Sequence, residues 1–273
     1  MAKGKTTEII EVSEIQQEEA IFHILGATPM IMNRFSFKAR QELLIPKGKQ
    51  SRATLESKMK HDPLAEFRGA LYLNRDKNSY TRFHIPNSAF HRAIAAAGSD
   101  MPGAAKAQLN RLASIVDLSI DLYGVPNLFM SMVRNSDMNR TPDVRTRPIF
   151  PEWACTVTVR YTLPNITRRT ITNLFTGAGS IIGIGDWRPQ KGGTHGRFLI
   201  VSDKDPRFLK IVKEQGRKAQ QAAYDQPVMF DEDTEELMAW FEQEVMRRER
   251  TSESSKPVKN GKAKKSNVVE LNA

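Results

Sequence analysis

The chain has 273 residues, of which 40% are hydrophobic and 26% charged, so it is long enough to bury a core without disulfides or a structural metal. Its one cysteine, Cys155, excludes an intrachain disulfide and a metal site built from clustered cysteines, which indicates a reducing compartment such as the cytoplasm. The start of the chain is charged and no run of about 18 apolar residues occurs, so we expect neither a signal peptide nor a membrane partner.

The basic residues indicate a polyanionic partner. Lys and Arg number 41 against 31 Asp and Glu, a net charge of +10. Part of the excess lies in residues 251–273, which have the composition of a disordered basic tail. Inside the folded part, residues 134–169 contain seven arginines and no lysine, and a guanidinium suits bidentate phosphate contacts. These arginines predict a basic binding surface, with scattered solvent-facing charge as the alternative.

In the first half of the chain, the apolar pattern predicts alternating strands and helices. After a flexible leader over residues 1–18, it predicts, in order, a strand over 20–27, helices over 35–44 and 63–73, a strand over 80–85, helices over 88–97 and 104–113, and strands over 116–123 and 128–133. Asp62 and Asn87 are the predicted N-caps of two helices, and Gly98 is the predicted end of one. The polar, basic residues 45–62 predict an inserted loop.

The second half contains the clearest strand, over residues 153–163, which is dense in β-branched and aromatic residues. A second insertion is predicted before it, over 134–152. After it, the pattern predicts a helix over 167–182, a glycine-rich loop, a strand over 197–201, and helices over 206–224 and 231–250.

This order of elements predicts a single α+β domain over residues 19–250, in which helices cover one face of an antiparallel sheet. A ferredoxin-like core with inserted loops and C-terminal helices is the simplest arrangement. In the last helix a stripe of four apolar residues is expected to pack in the core. The stripe consists of Leu237, Trp240, Phe241 and Val245.

The glycine-rich loop carries the strongest functional signal. Residues 177–198, GAGSIIGIGDWRPQKGGTHGRF, contain seven glycines, and Arg188, Lys191 and Arg197 alternate there with Trp187 and His195. Glycines let successive backbone N–H groups face an anion, and a tryptophan ring either stacks on a base or anchors the loop in the core. The pattern predicts a loop that binds a single strand. A structural connector, whose glycines only permit tight turns, is the alternative.

With the helix before it, IGIGDWRPQKGGTHGRF resembles the C-terminal glycine-rich loop of the RAMP superfamily of CRISPR systems. The greatest likeness is to the backbone subunits that polymerise along a guide RNA. The segments AIFHILGATPMIMNRFS and VRTRPIFPEW, together with the loop, also resemble a widespread set of phage proteins of unassigned role. The likeness is concentrated in residues 24–36, 143–153 and 183–198.

The resemblance implies a modified ferredoxin-like (RNA-recognition-like) fold that binds single-stranded nucleic acid. It places the contacts in the loop glycines and, after the first strand, in Asn33 and Arg34. It also implies side-by-side self-association along the strand and, for a phage-encoded chain, a location in the cytoplasm of the bacterial host.

Catalytic patterns are weaker than binding patterns in this chain. His23 lies in an apolar strand, and His195 in the glycine-rich loop is the histidine placed to contact a phosphate. The carboxylates are dispersed, as in Asp117 and Asp121, which does not favour a metal-dependent nuclease. Asp186, next to Trp187, is expected to pair with an arginine or brace the loop. We therefore predict a binding protein with no catalytic residues, no metal and no cofactor.

The predicted function is sequence-tolerant binding of single-stranded RNA or DNA. The predicted nucleic-acid-binding residues are Asn33, Arg34, Arg145, Arg147, Gly183, Gly185, Trp187, Arg188, Lys191, Gly192, Gly193, His195, Gly196 and Arg197. Three alternatives remain open: a RAMP-type endoribonuclease acting through His195 or His23, a phage recombination factor that anneals strands, and an interaction module whose basic tail alone attracts nucleic acid.

Overall fold

The computed structural model describes residues 14–34, 61–101, 103, 105–134 and 142–254. Within these ranges the chain forms nine strands and seven α-helices. The strands are β1 (Gln16–Gly26), β2 (Met30–Ile31), β3 (His84–Pro86), β4 (Ala113–Ile115), β5 (Ser119–Asp121), β6 (Asn127–Arg134), β7 (Pro142–Phe150), β8 (Ala154–Leu163) and β9 (Phe198–Val201). The helices are α1 (Pro63–Gly69), α2 (Asn87–Asp100), α3 (Lys106–Leu112), α4 (Arg168–Gly177), α5 (Pro206–Glu214), α6 (Arg217–Asp225) and α7 (Glu232–Ser254). The predicted α+β class is confirmed.

The central sheet has four antiparallel strands in the order β4-β8-β1-β9. Strand β1 pairs with β8 from Gln16 opposite Leu163 to Leu25 opposite Ala154. Because side chains alternate along a strand, Phe22 and its neighbours two residues away are buried on one face of β1, whereas Ile21 is exposed on the other. The strand begins at Gln16, inside the predicted leader.

Helices α2 and α4 cover the buried face of this sheet. Phe175 of α4 stacks on Phe22 of β1 with ring centroids 4.6 Å apart, and on Phe90 of α2 at 6.0 Å. The main core therefore lies between the sheet and these two helices. The opposite face is not bare, because Phe208 of α5 packs there against Leu25. The C-terminal helix α5 therefore lies on the other face of the sheet from α2 and α4.

A second antiparallel sheet has the order β2-β7-β6. Strands β6 and β7 form a hairpin with Asn127 opposite Ile149 and Arg134 opposite Pro142. Residues 142–150 lie in a segment that the sequence marked only as an insertion, and here they form the central strand of this sheet. The alternation missed them because the side chains of five consecutive residues, 146–150, are buried.

Several element boundaries differ from the predicted ones. Asp62 is the N-cap of α1, as predicted, and its side chain accepts a hydrogen bond from Ala65 N. Asn87 is instead the first residue of α2, and that helix continues through the buried Gly98 to Asp100. The helix predicted over 206–224 is two helices, since the chain leaves helical geometry at Gln215.

The stripe of α7 is not buried in the core, contrary to prediction: two of its residues are exposed, and Phe241 and Val245 are half-buried. Trp240 is 60% accessible and Leu237 is also exposed. Thr234 and Met238, four residues apart, are buried where the side chains of this helix are described, and the Thr234 hydroxyl accepts a hydrogen bond from Met130 N of β6. Helix α7 therefore touches the second sheet through a narrow face.

Some predicted segments lie outside the described residues. They are the leader over 1–13, the helix over 35–44, the insertion up to residue 60, and the tail from residue 255. Residues 251–254 of the predicted tail belong to α7. None of the helices in the described ranges has both the length and the apolar content needed to cross a membrane.

Candidate nucleic-acid interface

The glycine loop, defined here as residues 183–197, joins α4 to β9 on the side of the molecule where β2 lies. Helix α4 runs into a π-helical turn at Ala178–Ile182, so the helix predicted over 167–182 is formed in two parts. The chain then turns at Gly183, whose φ is 71°. A bridge between Asp186 and Ile31 attaches the loop to β2.

Two glycines allow close backbone approaches, one between the two ends of the loop and one between the loop and β2. Gly185 and Gly196 have φ of 81° and 73°, which disfavours other residues. A Cβ on Gly196 would lie 1.8 Å from the carbonyl oxygen of Ile184, and a Cβ on Gly185 would lie 2.5 Å from that of Ile31. These glycines are required by backbone packing, which is the role of a structural connector.

Internal hydrogen bonds occupy most backbone donors of the loop. Ile184 N donates to Gly196 O at 2.9 Å, and Gly196 N donates to Pro29 O at 2.8 Å. The N–H groups of Gly183, Asp186, Lys191, Gly192, Gly193 and His195 also donate to backbone carbonyls. The expectation that successive N–H groups face an anion is therefore corrected, because these donors already have partners.

A buried arginine holds the loop against the β6–β7 hairpin. Arg147 of β7 is 2% accessible, forms a salt bridge with Asp186 and donates to Ser131 Oγ at 2.6 Å. Its guanidinium lies 4.7 Å from the ring centroid of Trp187, which packs edge-on against Phe129. Burial lowers the pKa of Arg147, and Asp186 opposes that effect. Arg147 thus braces the loop and is not on a surface that a strand could reach, contrary to prediction.

The same carboxylate connects the loop to the chain after β2. Asn33 Nδ2 donates to Asp186 Oδ2 at 3.1 Å. The expected pairing of Asp186 with an arginine is confirmed by Arg147, and the half-buried position of Trp187 fits an anchor better than a free stacking platform. Asp186, Asn33, Arg147 and Trp187 therefore form one rigid cluster.

A cleft of about 470 Å³ opens beside this cluster, between α2 and the glycine loop. Its apolar lining includes Met30, Met32, Tyr72 and Ile85. It is also lined by Asp186, whose carboxylate is paired with Arg147, and by two cationic side chains, Arg92 of α2 and Arg188 of the loop. No side chain caps the first turn of α2, so the positive end of the helix dipole adds to these two charges.

The two cleft arginines are presented differently. Arg188 is oriented by the loop, since its Nη1 donates to Gly185 O at 3.0 Å and its Nε to Gln190 Oε1 at 3.1 Å. Arg92 is exposed on α2. Sequence reasoning identified Arg188 but missed Arg92. The available signal was the pair Ser88 and Arg92, four residues apart on one face of a predicted helix.

No family model and no curated protein matches this chain. The likeness to the RAMP superfamily therefore stays a prediction.

The other predicted contact residues lie around the cleft or on β7. Arg34 donates to Leu71 O at 3.3 Å and stands 5.8 Å from the ring centroid of Tyr72, a residue of the cleft. Lys191 and Arg197 are exposed on the loop, and Arg145 is exposed on β7. A Cβ on Gly192 would meet no described atom within 4 Å, so that glycine faces open space.

The two histidines considered for catalysis are not together in the site. His195 is half-buried beside Trp187, and burial, with Arg147 nearby, lowers the pKa of its imidazole. His23 lies on the α5 side of the central sheet, with its Nδ1 3.3 Å from Thr156 Oγ1 and its ring against Phe208. In the described part of the chain, no group of three His, Cys, Asp or Glu side chains could hold a metal ion.

Proposed function

We propose that this protein binds single-stranded RNA or DNA with little sequence preference, along the cleft between α2 and the glycine loop. The observation that carries the proposal is the convergence of Arg92 and Arg188, from two different elements, on one preformed cleft. Guanidinium groups form strong, charge-assisted bonds to phosphates. Because Arg188 is already oriented by two hydrogen bonds, less side-chain freedom is lost when it binds.

Charges outside the cleft extend the path of the strand. Lys191 and Arg197 are exposed, and no carboxylate of the described residues lies within salt-bridge distance of either. Arg34 lies shortly after β2, and Arg145 lies on β7, the strand that pairs with β2. In this proposal the loop's side chains, rather than its backbone N–H groups, hold the phosphates.

The strand order supports the ferredoxin-like part of the proposal. In the central sheet, the second, third, first and fourth strands of the chain lie side by side, all antiparallel. Helix α2 lies between the first and second of them in the chain, and α4 between the third and fourth. A β-α-β-β-α-β sequence with this order is the ferredoxin-like arrangement. It fits the RNA-recognition-like fold that RAMP-superfamily membership implies.

Anisotropy titration of fluorescent single-stranded RNA and DNA tests the proposal. We expect Arg92→Ala/Arg188→Ala to weaken binding on the order of tenfold and to flatten the salt dependence. The matched control is Arg168→Ala/Arg169→Ala, which removes the same charge from the exposed first turn of α4. The glycine loop follows the other end of that helix. Equal weakening by both double variants would contradict the proposed site.

Shortening the chain separates this proposal from the hypothesis of an interaction module with a basic tail. A variant ending at Ser254, the last residue of α7, keeps the described body and lacks the basic tail. We expect it to retain salt-sensitive binding, because the cleft is intact. Complete loss of affinity would assign the binding to the tail.

The endoribonuclease and the strand-annealing hypotheses each have an assay of their own. For the endoribonuclease, His195→Ala and His23→Ala would abolish RNA cleavage while binding persists. For the annealing factor, the protein would accelerate duplex formation between complementary strands. The proposal expects neither activity. Side-by-side self-association, the remaining part of the proposal, predicts cooperative binding, so that sedimentation at sub-saturating protein shows fully covered and bare long strands with few partly covered ones.

A further inference from the structure

The cleft beside the glycine loop has a feature that phosphate binding does not require, namely an apolar floor. Met30, Met32 and Ile85 lie at its base and are buried. On the α2 side the cleft is lined by Ala89 and Ala93, whose small side chains leave the space open. A concave, mostly apolar site with a few polar groups is typical of a site for a flat organic group.

The floor is held in place before any ligand arrives. Met32 N donates to Pro148 O at 3.0 Å, and Met32 Sδ accepts from Tyr72 N at 3.3 Å. The Tyr72 ring contacts both the guanidinium of Arg34 and the ring of His84, whose centroid is 5.6 Å away. A preformed site of this kind costs little ordering when it binds.

The position of the charged side chains indicates that this apolar floor contacts part of a bound nucleic-acid strand. Arg92 and Arg188 line the same cleft as the apolar side chains. A nucleotide has the matching chemistry, with an anionic phosphate attached to a flat ring that gains by leaving water. Methionine thioethers also contact aromatic rings favourably.

We infer that the cleft takes one unstacked base of a bound strand, while Arg92 and Arg188 hold the adjoining phosphate. The inference rests on the proposed function and adds that bases, and not only phosphates, contribute to affinity. The floor touches ring faces rather than base edges, so it accepts every base with weak preference.

The test compares two strands of equal charge on the full-length protein. One is a ten-nucleotide oligothymidylate, and the other is the same backbone with every base removed. We expect the wild-type protein to bind the first about tenfold more tightly, which is the scale of one stacked base. The variants Ala89→Phe and Ser88→Trp fill the cleft from α2 without removing a charge. Each should lower oligothymidylate affinity to the level of the abasic strand, so that the ratio of the two affinities falls from about ten to about one.

Ala107→Phe is the control, because it places the same side chain on an exposed position of α3. It should keep the wild-type preference, and circular dichroism confirms that each variant is folded. If the wild-type protein binds both strands equally, or if the preference survives in both filled variants, the base site is overturned while strand binding stands. If neither strand binds, the proposed function fails, and the base site fails with it.

Discussion

Arg147 on β7 and Asp186 in the glycine loop form a salt bridge in which the guanidinium is almost completely buried and the carboxylate remains about one-third accessible. The same guanidinium also contacts Ser131 on β6 and the ring of Trp187. One side chain thereby fixes the loop relative to the hairpin and positions the wall of the cleft.

Removing the buried arginine should destabilise the fold. Arg147→Met leaves Asp186 and the Ser131 hydroxyl without their charged partner, and we expect the free energy of unfolding to fall by about 2–3 kcal/mol. Adding Asp186→Asn should cost less than the sum of the two single changes, because the residues share one interaction. Urea denaturation measures both. Arg169→Met, at an exposed position in the first turn of α4, should change stability by less than about 0.5 kcal/mol, and an equal loss there would contradict this account.

Two loop glycines with similar φ separate backbone strain from steric clash. Gly192 and Gly196 have φ of 78° and 73°, but a Cβ would meet no described atom within 4 Å at Gly192 and a carbonyl oxygen at 1.8 Å at Gly196. Gly192→Ala should cost only the strain of the left-handed conformation, about 1 kcal/mol. Gly196→Ala should cost clearly more and weaken strand binding, because the loop arms must separate. Thermal unfolding and anisotropy titrations measure the stability and the strand affinity of both variants. Equal losses in the two variants would contradict the steric role of Gly196.

The lowered pKa values of two histidines predict a loss of folding stability at acidic pH. Burial lowers the pKa of His84, with Arg34 adding to the effect, and burial with Arg147 lowers the pKa of His195. At acidic pH the unfolded chain therefore binds protons more readily than the folded protein does. The stability that the two neutral histidines contribute is present above the unfolded histidine pKa of about 6.5 and is lost as pH falls below it.

Urea denaturation at pH 7 and pH 5.5 measures this dependence. His84→Phe should flatten it, because it removes the imidazole that titrates, together with its contact to the Leu73 backbone. Combining it with His195→Gln should flatten it further. An unchanged slope in the double variant would show that other groups control the acid response.

The single thiol reports on global unfolding. Cys155 of β8 is completely buried, and burial raises the pKa of its thiol well above the usual range. We expect no reaction with a thiol reagent at neutral pH until urea unfolds the central sheet. Labelling at zero urea, at a rate independent of stability, would mean that β8 is more accessible than its packing indicates.

Local patterns in the sequence were sufficient for many elements. The cap at Asp62, the long strand β8 and the position of the glycine loop between a helix and a strand follow from capping chemistry, β-propensity and glycine content. These features are local, because each depends on the backbone geometry that a few neighbouring residues prefer. The α+β class follows from their order.

The roles of individual side chains depended on segments far apart in the chain. The sequence around Arg147 is typical of a surface cation, but β6, β7 and the loop enclose this side chain in the folded protein. The sequence around Trp240 is typical of a core residue, but α7 contacts the second sheet through Thr234 and Met238, which leaves Trp240 exposed. Arg92 becomes a site residue only because α2 packs beside the loop. A residue's own sequence neighbours determine its backbone conformation, whereas its burial and its partners depend on which distant surfaces the folded core brings together.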